Sequence, residues 1–153
     1  MTSIVATALR GAAAGAAGTT ALNAVTYLDM AWRGRPASST PEDTVEKLAH
    51  AAGVEVPGDD ETRKNRLAGL GPLTGIATGV GIGALAGLLA PKLRLPVLAG
   101  VVGTAAMAGS NVPMTALGVT DPRSWGAAGW ISDVVPHLAY GLVTAAVAKR
   151  LVS

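Results

Sequence analysis

Four long stretches of the chain carry almost no charge, and connections of unequal length separate them. They run over about 4–31, 67–90, 95–119 and 125–148. Each has room for the roughly 20 residues that cross a hydrocarbon core as an α-helix. The second is the clearest, with no charged residue between Arg66 and Lys92. The first is the weakest: it is mostly Ala, Gly and Thr, with Arg10 near its start and Asp29 near its end. A helix on a water-soluble bundle should carry a polar stripe at 3.6-residue spacing. The second stretch has none, since its non-apolar residues are threonines and glycines. The pattern predicts an all-α fold, a single membrane domain over 1–153 built as a four-span transmembrane helical bundle.

The connections refine this picture. PKLR at 91–94 and TDPRS at 120–124 read as short turns, whereas the connection over about 32–66 is long and charged. Within it, STPEDTVEKLAHAAG predicts one short helix, with Thr40 as N-cap, Pro41 as first helical residue and Asp43 in the capping-box position. Gly53 should end it. Val45, Leu48, Ala49 and Ala52 form a narrow apolar stripe that would lie on the membrane or on the bundle. Asp59 or Asp60 can then cap a helix that continues through Arg66 into the second span, bringing Arg63, Lys64 and Arg66 to the level of lipid phosphates. Four spans place both termini on one face. Positive residues are nearly balanced between the two faces, so the positive-inside rule leaves the orientation open. The opening MTSIVATALRGAAAGAAG lacks a charged n-region and a good cleavage site, and is read as retained.

Composition strengthens the membrane reading. Half of the 153 residues are hydrophobic, only 14% are charged, 20 are Gly and none is Phe. A core of Ala and Gly buries little area per residue in water, whereas in lipid small residues become close-packing surfaces. The absence of cysteine excludes disulfides and thiolate chemistry. A net charge of +2, with no basic patch interleaved with aromatics, argues against nucleic acid as a partner. Expected partners are membrane lipids and either a second copy of the chain or a larger membrane complex.

The glycines have a spacing of their own. Gly71, Gly75, Gly79, Gly83 and Gly87 recur at every fourth position of the most apolar stretch. In a water-exposed helix each would cost about 1 kcal/mol relative to Ala. In lipid, main-chain amides have no alternative partner, so the helix holds and the glycines allow close approach. Gly11, Gly15 and Gly18 in the first span, and Gly100 and Gly103 in the third, extend the device. Glycine-zipper packing is therefore expected of every span except the fourth.

Polar residues inside spans are costly and mark candidate sites. Asn23 lies in the first span and Asp29 near its end, Asn111 in the third, and Asp133, His137 and Tyr140 in the fourth. The last three share one side of a helix. The topology puts Asp29, Asn111, Asp133 and His137 in the half of the bundle nearest the long connection. Asp133 could accept from His137, Trp130 or an edge arginine and fix packing. The same group could handle a proton or solute, and Asp29, Asp133 and His137 include metal-ligand types without a selective spacing. No activated serine and no phosphate-binding loop is present, so no catalytic residue and no metal ligand is assigned, and the cofactor is left unknown. Trp32, Trp125 and Trp130 are placed as interfacial anchors on one face.

The motifs GTTALNAVTYLDMAWRGRPASSTPE and DVVPHLAYG resemble those of small actinobacterial integral membrane proteins of unknown function. A looser similarity is to bacterial inner-membrane proteins with a tryptophan, an acid and a Pro-His pair in a late span. The resemblance implies a multi-pass protein of the bacterial plasma membrane and supplies no ligand or catalytic residues. The expected role is a small accessory or scaffold membrane protein acting through helix packing. The alternative is a small transporter, channel or ligand-binding protein with a polar site near one face. An enzyme acting on lipid or quinone comes third.

Overall fold

Three antiparallel contacts organise the chain, between its first and third helices, its first and fifth, and its fourth and fifth. A computed structural model describes residues 3–152. The helices are α1 (Ile4–Arg33), α2 (Thr40–Ala51), α3 (Asp60–Leu89), α4 (Leu95–Ala116) and α5 (Ala127–Val152), with one 3-10 turn at Pro122–Ser124. No strand occurs among the described residues. The fold is all-helical, as the pattern of apolar stretches predicts.

The ends of the elements follow local chemistry. Ser3 caps α1 through a hydrogen bond from the Ala6 N–H. Gly34, at φ 62°, closes it by donating its N–H to Met30 O. Asp59 caps α3 by accepting from the Thr62 N–H at 2.8 Å, so α3 does run from the polar connection straight into the apolar segment. The short helix begins one residue earlier than expected: Ser39 is its N-cap and Thr40 its first residue. Ser39 donates to the Asp43 carboxylate rather than capping a backbone N–H. At the far end of α4, Gly118 (φ 64°) takes the left-handed conformation that the turn requires.

Helix α1 lies between α3 and α5, and α4 packs chiefly on α5. The α1–α3 register is fixed by pairs at constant spacing. Gly11 meets Gly87, Gly15 meets Gly83, and Thr19 meets Gly79. A Cβ on Gly11 would fall 2.8 Å from the Gly87 Cα, and one on Gly15 2.8 Å from the Gly83 Cα. Neither separation is open to a real side chain, so these two backbones touch only because glycine occupies both sides.

The fourth stretch also carries a glycine in close approach to a neighbouring helix, which the sequence did not lead us to expect. Gly141 of α5 lies against Ala99 and Gly103 of α4, with its Cβ position 2.9 Å from the Gly103 N. With Thr144, Ala145 and Ala148 it forms a buried small-residue face. Two glycines of the expected packing set have no neighbour within the chain. Gly75 and Gly100 face open space and take no part in packing within the chain. Gly71 packs, but against Pro41 and Glu42 of α2 and not against α1. The reason is the drift of an every-fourth-residue row, about 40° per step on a 3.6-residue helix. The row passes from α2 across a gap at Gly75 to α1. Of the expected apolar stripe of α2, Val45 and Ala49 are half-buried while Leu48 and Ala52 are exposed, and α2 also seats on α3 through Pro41 and the buried Thr44.

Burial is unevenly distributed along the bundle. The buried residues of α1, α4 and α5 all lie within 11–19, 98–106 and 136–148, the stretches that sit side by side in one half. In α3 the matching residues are Gly79, Gly83, Ala86 and Gly87, and only Leu67 and Gly71 are buried outside that half, at the end where α2 sits. The other half is loose. Residues 72–77 of α3 are exposed in succession. Pro72 and Pro113 interrupt the helical hydrogen bonding there, and Pro136 does so at the boundary.

The surface is apolar. Helices α3, α4 and α5 are long and apolar enough to cross a membrane, with no more than a third of the residues in each window buried inside the molecule. Helix α1 is as long as α3 but falls short of that apolarity. Leu9, Leu28, Leu85, Val101, Leu138 and Leu142 all point outward. The accessible surface is 9079 Å² for 15.1 kDa, against about 7,100 Å² for a compact water-soluble monomer of that mass. This extended surface, with leucines and valines exposed along the long helices, is compatible with a multi-pass membrane protein.

Candidate functional site: a split polar end

Asp29, Asn111, Asp133 and Ser132 of the long helices lie in the loose half with His137 at its boundary, but they form two networks and not one. At the edge, Asp29 accepts from Arg33 Nε at 2.7 Å and from a terminal nitrogen of the same guanidinium at 2.6 Å. Arg35 Nε donates to the same carboxylate at 2.7 Å. Ser132 of α5 donates to Ala128 O and lies 3.4 Å from Asp29, and Arg33 also bonds its hydroxyl. Asp29 is therefore neutralised twice over and ties α1 to α5.

The second network lies between α4 and α5. Asn111 Nδ2 donates to Asp133 Oδ2 at 2.8 Å. His137 Nδ1 is 2.7 Å from the Asp133 backbone carbonyl and 3.4 Å from its carboxylate Oδ1. A carbonyl only accepts, so Nδ1 carries a hydrogen. Nε2 faces Ser110 Oγ at 3.4 Å. The one hydrogen of Ser110 is directed to the carbonyls of Met107 (3.0 Å) and Ala106 (3.2 Å). Ser110 thus turns a lone pair toward His137, and a hydrogen on Nε2 would find an acceptor there. Asp133 and His137 side chains retain only 15% and 14% exposure, in contrast to the wetter Arg33 at 32%. Among the described residues this carboxylate has no Lys or Arg partner.

The other expected site residues are placed as follows. Tyr140 belongs to neither network. It is fully buried and donates its hydroxyl to Gly79 O at 2.6 Å, on the α1–α3 side of α5, with its ring beside Gly18 and Gly79. Its grouping with Asp133 and His137 is therefore corrected: a shared side of α5 divides between two neighbours, α4 and α1–α3. Asn23 is half-buried in α1 and has no hydrogen-bond partner among the described residues. Thr144 Oγ1 is buried over Gly18 and has none either. Asp29 lies apart from the Asp133–His137 pair, and among the described residues no three His, Asp or Glu side chains are grouped to hold a metal ion.

Arg123 turns to Asp121 (2.9 Å) and stays out of the span. The hydrogen bonds from its side chain, and then from its backbone N–H, hold the Asp121 carboxyl below the usual carboxylate range. Bonds from Thr62 do the same for Asp59 at the start of α3. The tryptophans share the loose end. Trp32 is 92% exposed. Trp125 and Trp130 stack edge to face with centroids 5.2 Å apart, and Trp125 Nε1 donates to Thr120 at 2.9 Å.

Two open clefts lie at this end. One of about 540 Å³ lies between α2 and α3, lined by Glu42, Asp43, Glu46, Asp60, Arg63 and Lys64 above Leu67. Another of about 390 Å³, largely apolar, lies beside Asn111 and Thr115.

Three residues of consequence escaped the sequence reading. Ser132 bridges the edge network, Lys47 reaches the end of α4, and Gly141 seats α5 on α4. Only the last had a readable signal, in the small residues of GLVTAAVA. Comparisons with protein-family models, curated proteins and solved structures found no match for this chain.

Proposed function

We propose that the chain is a four-span integral protein of the bacterial plasma membrane and acts as an accessory or scaffold subunit, packing its helices against a second copy or a larger complex. The register of α1 on α3 supports the fourth span. Gly11, Gly15 and Thr19 stand at the depths of Gly87, Gly83 and Gly79, so an α3 that crosses the bilayer takes α1 with it. Glycine-zipper packing is the reading given to these pairs and to Gly103–Gly141. The loose end, with its three tryptophans and the charged connection, is assigned to one membrane face. The plasma-membrane location rests on the resemblance of the first and last helices to actinobacterial membrane proteins.

The observation that carries the accessory role is the set of glycines left over. Gly75, Gly81 and Gly100 face outward from spanning helices with nothing near them. A glycine turned to lipid gives up side-chain contact, whereas a glycine against another helix allows a backbone to approach. The test is mass measurement of the protein released into lipid nanodiscs from its own membrane, beside a Gly100→Leu variant. A defined oligomer or stoichiometric complex that Gly100→Leu disperses, without loss of helix content, is expected. A monomer with no companion would remove the reading.

A second reading is supported by the Asp133 carboxylate, held by Asn111 and His137 without a Lys or Arg among the described residues, and by the neighbouring Ser110. Set in a half-open bundle, they suit a site for a proton or small polar solute reached from one face. The close-packed other half argues for a one-sided site over a continuous pore.

A further inference from the structure

Helix α2 joins the bundle very differently on its two sides. On the α3 side it is packed. The Pro41 and Glu42 backbone rests on Gly71, with a Cβ position at Gly71 only 3.1 Å away; Thr44 is buried, and Glu46 pairs with Arg63. On the α4 side its hydrogen bonding comes from one side chain. Lys47 Nζ donates to Leu117 O at 3.1 Å and Gly118 O at 2.9 Å, carbonyls left over where α4 ends. Helices α3 and α4 touch where Gly109 meets Thr78 and Ile82; one turn nearer α2 nothing lies within 4 Å of the Gly75 Cβ position, which marks a wedge there. Residues 72–77 of α3 are exposed, as are Val112, Thr115 and Ala116 of α4. Helix α2 closes the end of that wedge, and Ser110 and Asn111 lie about two turns of α4 behind it.

We propose that α2 is a strap, carried on α3 and latched to α4 by Lys47, that holds the wedge between α3 and α4 shut and so controls entry from the aqueous face to the Ser110–Asn111–Asp133–His137 cluster. The latch is an ammonium on exposed helix-end carbonyls, a weak contact that water can replace. It therefore opens on a modest perturbation, while the packed side keeps α2 in place. The inference rests on the membrane reading for its choice of probe.

The absence of native cysteine makes the test direct. Met114→Cys places one thiol at a half-buried position of α4 between the cluster and the latch. Its rate of reaction with a membrane-impermeant maleimide, applied to each side of membrane vesicles in turn, is compared with Lys47 intact, Lys47→Met and Lys47→Arg. Lys47→Met should raise the rate roughly fivefold from the side of the long connection, the factor a contact of this strength carries, and Lys47→Arg should leave it low. An unchanged rate in Lys47→Met overturns the strap. So does an equal rise at Val102→Cys, a buried position of the closed half, because that would report general loosening. Leu85→Cys, exposed on α3, reports on the membrane reading separately: it resists the probe in lipid and reacts at full rate if the bundle is not embedded.

Discussion

The Tyr140 hydroxyl donates to the Gly79 carbonyl across the α5–α3 boundary at 2.6 Å. It is the largest fully buried side chain among the described residues, and it occupies space that Gly18 and Gly79 leave vacant. An Ala–Gly bundle with one large buried side chain concentrates much of its contact area there. Tyr140→Phe keeps the ring and should cost about 1 kcal/mol for the lost hydrogen bond. Tyr140→Ala should cost about 3–5 kcal/mol, by analogy with other buried aromatics. Thermal unfolding in mild detergent, read by circular dichroism, separates the two. Equal losses would show that the hydroxyl, and not the ring, dominates.

The α1–α3 seam predicts opposite outcomes for glycines of one row. Gly83→Ala drives a methyl to 2.6 Å from the Gly15 N and should destabilise by about 1–3 kcal/mol through overpacking. Gly75→Ala meets open space within the chain and, in the dispersed monomer, should be neutral or stabilising by up to about 1 kcal/mol. Midpoints of unfolding for the two variants, measured side by side, check this. A Gly75→Ala variant as damaged as Gly83→Ala would mean that Gly75 packs against something outside the chain.

The inner polar network predicts a cost of orphaning. Asn111→Leu removes the donor to Asp133 Oδ2, and a part-buried acceptor left without its partner costs about 1–3 kcal/mol. Adding Asp133→Asn to it should restore part of the loss, because the carboxylate oxygen left without its Asn111 donor is gone. Stability of the two single variants and the double variant forms the measurement. Additive losses would show that the two residues do not communicate.

The helix start at Asp59 predicts a local acid sensitivity. Bonds from Thr62 hold its carboxyl below the ordinary value in the folded protein, so the folded state binds the proton less well than the unfolded one. That contribution is complete above the unfolded carboxylate value of about 3.9 and fades as pH falls through the lower folded value. Amide exchange at Thr62 and Arg63 should therefore accelerate, relative to the α3 interior, only in strong acid. In Asp59→Asn, whose side chain still caps but does not titrate, that acceleration should disappear. Its persistence would place the sensitive group elsewhere.

The legibility of the fold was uneven for a physical reason. Low charge over 67–90 and the Asp59 cap are local properties, and α3 formed where they pointed. The placing of Asp29 and Asp133 in the same half follows from chain reversal alone. Their separation into two networks does not. It depends on which way α5 turns each residue, and neighbouring helical positions such as Ser132 and Asp133 face different partners.

The sequence by itself determined the helices, their up-and-down order and the chemistry available at each depth. Hydropathy, caps and turn residues act within a few positions of one another. Only the tertiary structure decided that Gly79, Gly83 and Gly87 meet α1 while Gly75 meets nothing. It alone made Gly141 a contact, turned Tyr140 away from His137 and brought Lys47 to the end of α4. Those outcomes depend on crossing angles and registers between helices, which small residues permit in many combinations and which only simultaneous packing of all the helices selects.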